Sequence, residues 1–166
     1  MTTDKPEYPP LLPPGFHKMD LVALRQLCVE HAHFITSSTR PRIMNGLIGV
    51  MRKLHAANVS GDLWVDGGFV TENIDPEDVD ILIHIPSSRY EFDFRCREAV
   101  DWASSPDRLG SHLCDAYRWI EYTKDHPLHA QSEQDRRYWS QWFGFCRPPV
   151  RRAKGIVVID LPGEIP

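Results

Sequence analysis

A chain of 166 residues, 42% of them hydrophobic, has the length and apolar content of one domain with a real core. Its formal net charge of −4 gives no global attraction to nucleic acid, which excludes an extended duplex DNA surface and leaves only a local patch for any polynucleotide contact. No apolar run reaches the ~20 residues needed to cross a bilayer, no apolar leader follows the polar start Met1 to Lys5, and Cys28, Cys96, Cys114 and Cys146 lie far apart, so reduced, buried thiols in a cytoplasmic protein with no membrane insertion are expected.

Residues 1–16 form a Pro-rich arm (Pro6, Pro9, Pro10, Pro13, Pro14), extended because proline lacks a backbone donor and fixes φ, and either mobile or wrapped on the surface. The remainder, 17–166, reads as one domain. Asp20 is placed to cap a helix over 20–31 with Leu21, Leu24, Leu27 and Cys28 on one side. A second helix over 40–57 carries Pro41 in its first turn and Ile43, Leu47, Val50, Met51 and Leu54 as a core stripe. Ser60-Gly61-Asp62 turns into a strand over 63–70, and the branched apolar run 79–85 is a buried strand.

Residues 91–104 read as a helix with Phe94, Cys96, Ala99, Val100 and Trp102, and a loop at Ser105-Pro106-Asp107 follows. Residues 113–121 fit a strand with Leu113, Asp115, Tyr117 and Trp119 on one face, although Leu113, Ala116, Tyr117 and Ile120 also fit a helical stripe. A polar stretch over 124–137 leads to the aromatic residues Tyr138, Trp139, Trp142 and Phe143, and 155–161 is a last strand. Strands alternating with helices, without repeat or linker, predict a single α/β (α+β) domain.

The chemistry concentrates in 65–85. Gly67-Gly68 is a turn in which backbone N–H groups can approach a ligand without an intervening Cβ. Ten positions after Gly68, Asp78 and Asp80 open the apolar strand two residues apart, hence on one face. Neighbouring carboxylates repel unless a cation lies between them, and Mg2+ suits a few carboxylates completed by water and phosphate oxygens.

Gly67, Gly68 and the triplet Asp78-Val79-Asp80 resemble the signature of the polymerase-beta-like nucleotidyltransferase superfamily. One departure is Asp66, where that signature usually has an apolar residue. The wider chain resembles small bacterial nucleotidyltransferase-like proteins through Leu12 to Gly15, Leu63 to Thr71, Tyr138-Trp139, Phe143 to Phe145 and Lys154 to Ile156. The resemblance implies a mixed sheet flanked by helices and a third carboxylate on a neighbouring strand, for which Asp115 is the candidate, with Asp101 and Asp107 as competitors.

It further implies one or two Mg2+ ions on Asp78, Asp80 and Asp115, and transfer of a nucleotidyl group from an NTP, ATP first, to a protein, an RNA end or a small molecule. Gly67, Gly68, Thr71 and Lys154 would bind the nucleotide. Some small members are antitoxins in toxin–antitoxin pairs, so an inactive nucleotide- or partner-binding module, using the proline arm and the 138–145 aromatics, is the alternative. An Asp-x-Asp phosphohydrolase ranks last, because its nucleophile would be expected after its apolar strand. The pairs His31/His33 and His126/His129 have no convincing third zinc ligand in sequence. Cys146 has no indicated His partner and reads as a structural thiol. The basic run Arg147, Arg151, Arg152, Lys154 is either a solvated surface or a neutraliser of phosphate.

Overall fold

The computed structural model describes residues 6–166. Among them a five-stranded mixed sheet runs in the order β1-β5-β2-β3-β4. The strands are β1 (Gly15–Lys18), β2 (Gly61–Asp66), β3 (Val79–Pro86), β4 (Cys114–Glu121) and β5 (Gly155–Leu161). β2 is antiparallel to both β3 and β5, while β3/β4 and β1/β5 are parallel.

The helices are α1 (Leu21–Arg25), α2 (Arg40–Ala56), α3 (Ser87–Phe92), α4 (Phe94–Ala103), α5 (Asp107–His112) and α6 (His129–Gly144). As expected, the Asp20 carboxylate caps α1, accepting from the Ala23 N–H at 2.7 Å. The chain then runs straight into a wider turn at Gln26–Glu30, and Leu21, Leu24 and Cys28 are buried. α2 is capped from a distance. Asp75 Oδ1 accepts from the Ser38 N–H at 2.8 Å and the Ser37 hydroxyl at 3.0 Å, which ties the loop before β3 to a helix N-terminus that favours negative charge.

Alternation along β3 divides the molecule. Val79, Ile81, Ile83 and Ile85 join the main core with Ile43, Met44, Leu47, Met51 and Leu54 of α2 and Val100 of α4. On the opposite face Leu82 packs with Trp64, Trp119, Phe143 and Ile156, and Trp139 of α6 leans on that second cluster. Asp80, two positions from Leu82, shares this second face.

Four expectations need correction. The strand over 63–70 stops at Asp66, because Gly67 turns to φ 83° and Gly68–Val70 form a short 3-10 turn. The helix over 91–104 is two helices broken at Asp93, whose extended backbone lets its carboxylate accept from the Cys96 N–H at 3.1 Å. Leu113 is a left-handed cap (φ 56°) to α5, a helix that sequence pattern did not predict, so β4 starts at Cys114. The stretch read as merely polar belongs largely to α6.

Residues 1–5 of the arm lie outside the described residues, and of the two dispositions expected for the rest, mobile or wrapped on the surface, the second is found. The arm's boundary at 16–17 falls within β1, since Gly15 already pairs with Gly155. Upstream, the Leu11 N–H donates to the Val70 carbonyl at 3.0 Å and Leu12 O accepts from the Gly155 N–H at 3.2 Å. The described part of the arm is therefore wrapped on the domain, across the loop that follows Gly67-Gly68.

Candidate functional site at the ends of three strands

Strand register builds the site. Asp66 of β2 is the partner of Asp80 on β3, and Asp80 is the partner of Asp115 on β4. Registered residues on adjacent strands lie on the same face with backbones about 4.8 Å apart, so three aspartates stand in a row across the sheet. Asp78 immediately precedes β3, and its charge acts on Asp80. Asp115, the proposed third carboxylate, thus lies next to Asp80 on the same face. Its competitors do not. Asp101 sits on α4, accepting from the Tyr90 hydroxyl at 2.6 Å and paired to Arg118 on the opposite face of β4, and Asp107 opens α5.

Each member has a distinct environment. Burial, then the neighbouring charges of Asp78 and Asp115, push the Asp80 carboxyl up to about 6, against the opposing charges of Lys154 and Arg147. Asp66 is only 3% exposed, and its Oδ2 receives the Lys154 ammonium at 2.7 Å. Burial outweighs that ammonium and pushes Asp66 up to about 7. Its Oδ1 is buried without a hydrogen-bond partner among the described residues. Asp115 Oδ2 accepts from the Tyr117 hydroxyl at 2.8 Å, and burial with this bond raises the Tyr117 phenol well above its ordinary value.

The two glycines differ. Gly67 adopts φ 83° and ψ −164°, a region essentially reserved for glycine, and a Cβ there would collide with Asp80 Oδ2. At Gly68 a Cβ would rest 3.4 Å from Pro76 Cβ, an ordinary contact. The steric demand for glycine therefore falls on Gly67. Thr71 is buried, and its hydroxyl donates to the Gly68 carbonyl at 2.8 Å while accepting from the Asn73 N–H at 3.3 Å. Its hydroxyl holds the loop together. Lys154 sits one residue ahead of β5, its N–H donating to Gly144 O at 2.9 Å, in a loop closed by Cys146 N–H to Arg152 O at 2.8 Å.

Sequence reasoning missed Arg40. It is fully buried, and its guanidinium donates to the carbonyls of Cys28 (2.8 Å), Phe69 (2.7 Å), Thr71 (2.7 Å) and Asn73 (2.6 Å) while lying 3.6 Å from the centre of the Phe34 ring. A rigid five-donor fork is suited to gathering several carbonyls at once. Arg40 thereby fixes the 68–73 loop to α2 and sets the path of the chain between the glycines and Asp78. The signal existed: Arg40 precedes Ile43, Met44 and Leu47 at core spacing, and a charge on a core stripe must find partners.

The remaining candidates have local employment. His33 Nε2 lies 3.1 Å from Glu72 O, and His129 Nδ1 lies 2.9 Å from Tyr122 O. All four cysteines are free and buried, and burial pushes the Cys28 and Cys114 thiols up to about 12.

The donors Asp66, Asp78, Asp80 and Asp115 are all carboxylates, a hard oxygen set that fits Mg2+ rather than a soft metal. The orphaned Asp66 Oδ1 and the mutual repulsion felt at Asp80 both mark a deficit of positive charge there. Among the described residues no group of three His, Cys, Asp or Glu side chains is already gathered as a cage. Strand register brings the residues together, and rotation of their side chains would have to bring the oxygens together.

No helix among the described residues is long and apolar enough to cross a membrane. Comparison with curated proteins and with solved structures gives no match. A family model described as "Family of unknown function (DUF6932)" matches residues 5–160. That match spans most of the chain, and the protein belongs to this family.

Proposed function

We propose that the protein is a Mg2+-dependent nucleotidyltransferase of the polymerase-beta-like kind, moving a nucleotidyl group from an NTP to a hydroxyl on a protein, an RNA end or a small molecule. One observation carries the reading: Asp80 and Asp115 stand side by side in register, with Asp78 alongside and Gly67 closed against the Asp80 carboxylate. Asp78, Asp80 and Asp115 would hold Mg2+, which when bound would neutralise the carboxylates and the triphosphate and so favour in-line displacement.

The chain's own groups have separable tasks. The acceptor oxygen forms a bond to the α-phosphorus, the bond from that phosphorus to the bridging oxygen breaks, and pyrophosphate leaves with the electron pair. Asp115 takes the acceptor's proton on Oδ1, because Oδ2 is already engaged by Tyr117. The Gly67 and Gly68 amides cradle phosphate, on a loop held by Arg40 and Thr71. Lys154 and Arg147, whose charges reach Asp80, offset the charge developing on the leaving group.

The buried Asp66–Lys154 pair supports a second reading, since it occupies the cation otherwise expected on phosphate. In that reading the protein is an inactive nucleotide- or partner-binding module of antitoxin-like kind. Calorimetric titration with ATP, with and without Mg2+, tests the first. Wild-type should bind in a Mg2+-dependent way, and Asp78→Asn and Asp80→Asn should abolish that binding while remaining folded. Unchanged affinity in either variant, or no metal-dependent binding by wild-type, removes the proposed site. Metal-dependent binding without transfer to any acceptor would favour the module.

A further inference from the structure

The sheet face that carries the aspartates continues outward as a chain of aromatic rings. The Tyr117 hydroxyl bonds to Asp115 Oδ2 at 2.8 Å, the Tyr117 ring lies 4.9 Å from Trp139, and Trp139 meets Tyr138 edge-on at 5.0 Å. Tyr138 and Trp142, one turn apart on α6, then present nearly parallel rings (22°, centroids 6.0 Å). The inner rings are substantially buried, but Tyr138 is 54% and Trp142 49% exposed. Two large π faces held together in water beside a polar site mark a surface that receives something.

Charge indicates what. The segment that follows α6 carries Arg147, Arg151 and Arg152, all exposed, and Arg147 lies close enough to act on Asp80. The aromatic pair is joined to the carboxylate row through Trp139 and Tyr117, and the charge of Arg147 reaches the same row at Asp80. A nucleoside triphosphate offers the complementary sequence: a planar base to stack, and anionic phosphates for the arginine and for a cation held by carboxylates.

We propose that Tyr138 and Trp142 form the nucleobase platform of this site, with Arg147 meeting the phosphates of the same nucleotide. The inference rests on the nucleotide reading above and adds where the base lies. Every base has a π face, and stacking alone distinguishes bases weakly. The platform therefore accepts ATP and GTP with affinities within about ten-fold of each other.

The test compares a ligand that has a base with one that does not. Mg-ATP, Mg-GTP and magnesium tripolyphosphate are titrated into the full chain as wild-type, Tyr138→Ala, Trp142→Ala, the double variant and Tyr138→Phe. Removing a stacking ring should weaken ATP binding by about five- to 150-fold and leave tripolyphosphate affinity unchanged, while Tyr138→Phe retains ATP affinity. Unchanged ATP binding in the double variant overturns the platform and leaves the phosphate site standing, and equal loss of ATP and tripolyphosphate binding overturns the platform too, because the rings would then support the phosphate site and not the base. Wild-type that binds neither ligand removes the platform and the nucleotide reading together. Sedimentation velocity adds a further outcome: a wild-type dimer that the double variant dissociates would make this face a contact between two copies, and the platform would be rejected.

Discussion

Replacing the two adjacent glycines separately tests the geometry on which the site depends. Alanine at 67 would have to adopt φ 83°, ψ −164°, a strain of about 1–3 kcal/mol for a residue with a Cβ. That Cβ would also collide with Asp80 Oδ2, so either the carboxylate rotates away or the loop shifts. Together these make Gly67→Ala destabilising by about 2–4 kcal/mol, which lowers Tm by about 4–16 °C for a domain of this size. Alanine at 68 has space, its nearest neighbours being Pro76 Cβ at 3.4 Å and Asn73 Nδ2 at 3.6 Å, and should remain within about 1 kcal/mol of wild-type. Urea unfolding followed by far-UV circular dichroism measures both, and Mg-ATP titration should show loss in Gly67→Ala and near-wild-type binding in Gly68→Ala. Equal destabilisation by the two variants, or a silent Gly67→Ala, would refute the assignment of the steric constraint to Gly67.

The Arg40 clamp predicts that Arg40→Met leaves several buried carbonyls unsatisfied and costs about 3–6 kcal/mol, with Arg40→Lys recovering little because an ammonium cannot span the same fork; a loss below 1 kcal/mol in denaturant titration would show the clamp to be incidental. For Asp66–Lys154, Lys154→Met removes the cation of a carboxyl that sits near 7 even with it, so the acid takes up a proton and the variant should lose about 1–2 kcal/mol at pH 8, less at pH 5 where Asp66 is protonated in both, with Asp66→Asn in the same chain relieving most of the loss; an additive double-mutant cycle would refute the coupling. Asp80 gives a pH signature. Its folded value of about 6 lies above the ordinary 3.8, so the folded metal-free protein keeps a proton that the unfolded chain has released, and stability is lost as pH rises from about 4 to about 6. Relative to wild-type, Asp80→Asn should therefore gain stability over that window, by up to about 3 kcal/mol above pH 7, and a difference independent of pH would refute it.

How far the sequence could be read depended on how local each determinant was. Asp20 as a cap, Pro41 in the first turn of α2 and the apolar runs of β3 and β5 were legible because caps, turns and periodic burial act within a few residues. Gly67-Gly68 and the pair Asp78/Asp80 were legible for the same reason. β1 and α6 were not. A four-residue edge strand carries too little pattern to detect, and α6 buries little more than Ser132 and Phe143, so its apolar stripe is faint. The break at Asp93 was hidden because a helix cap within a helical pattern looks like one more polar position.

The sequence by itself determined the mixed α/β class, the thiols' burial and the two carboxylates that open β3. Only the tertiary structure decided that Asp66 and Asp115 flank Asp80, because register between strands is set by the packing of whole strands and not by any residue's neighbours in the chain. It also decided that Lys154 meets Asp66 across 88 positions and that Arg40 gathers carbonyls from Cys28 to Asn73. Buried charges must find partners wherever the fold puts them, and that search lies beyond local sequence.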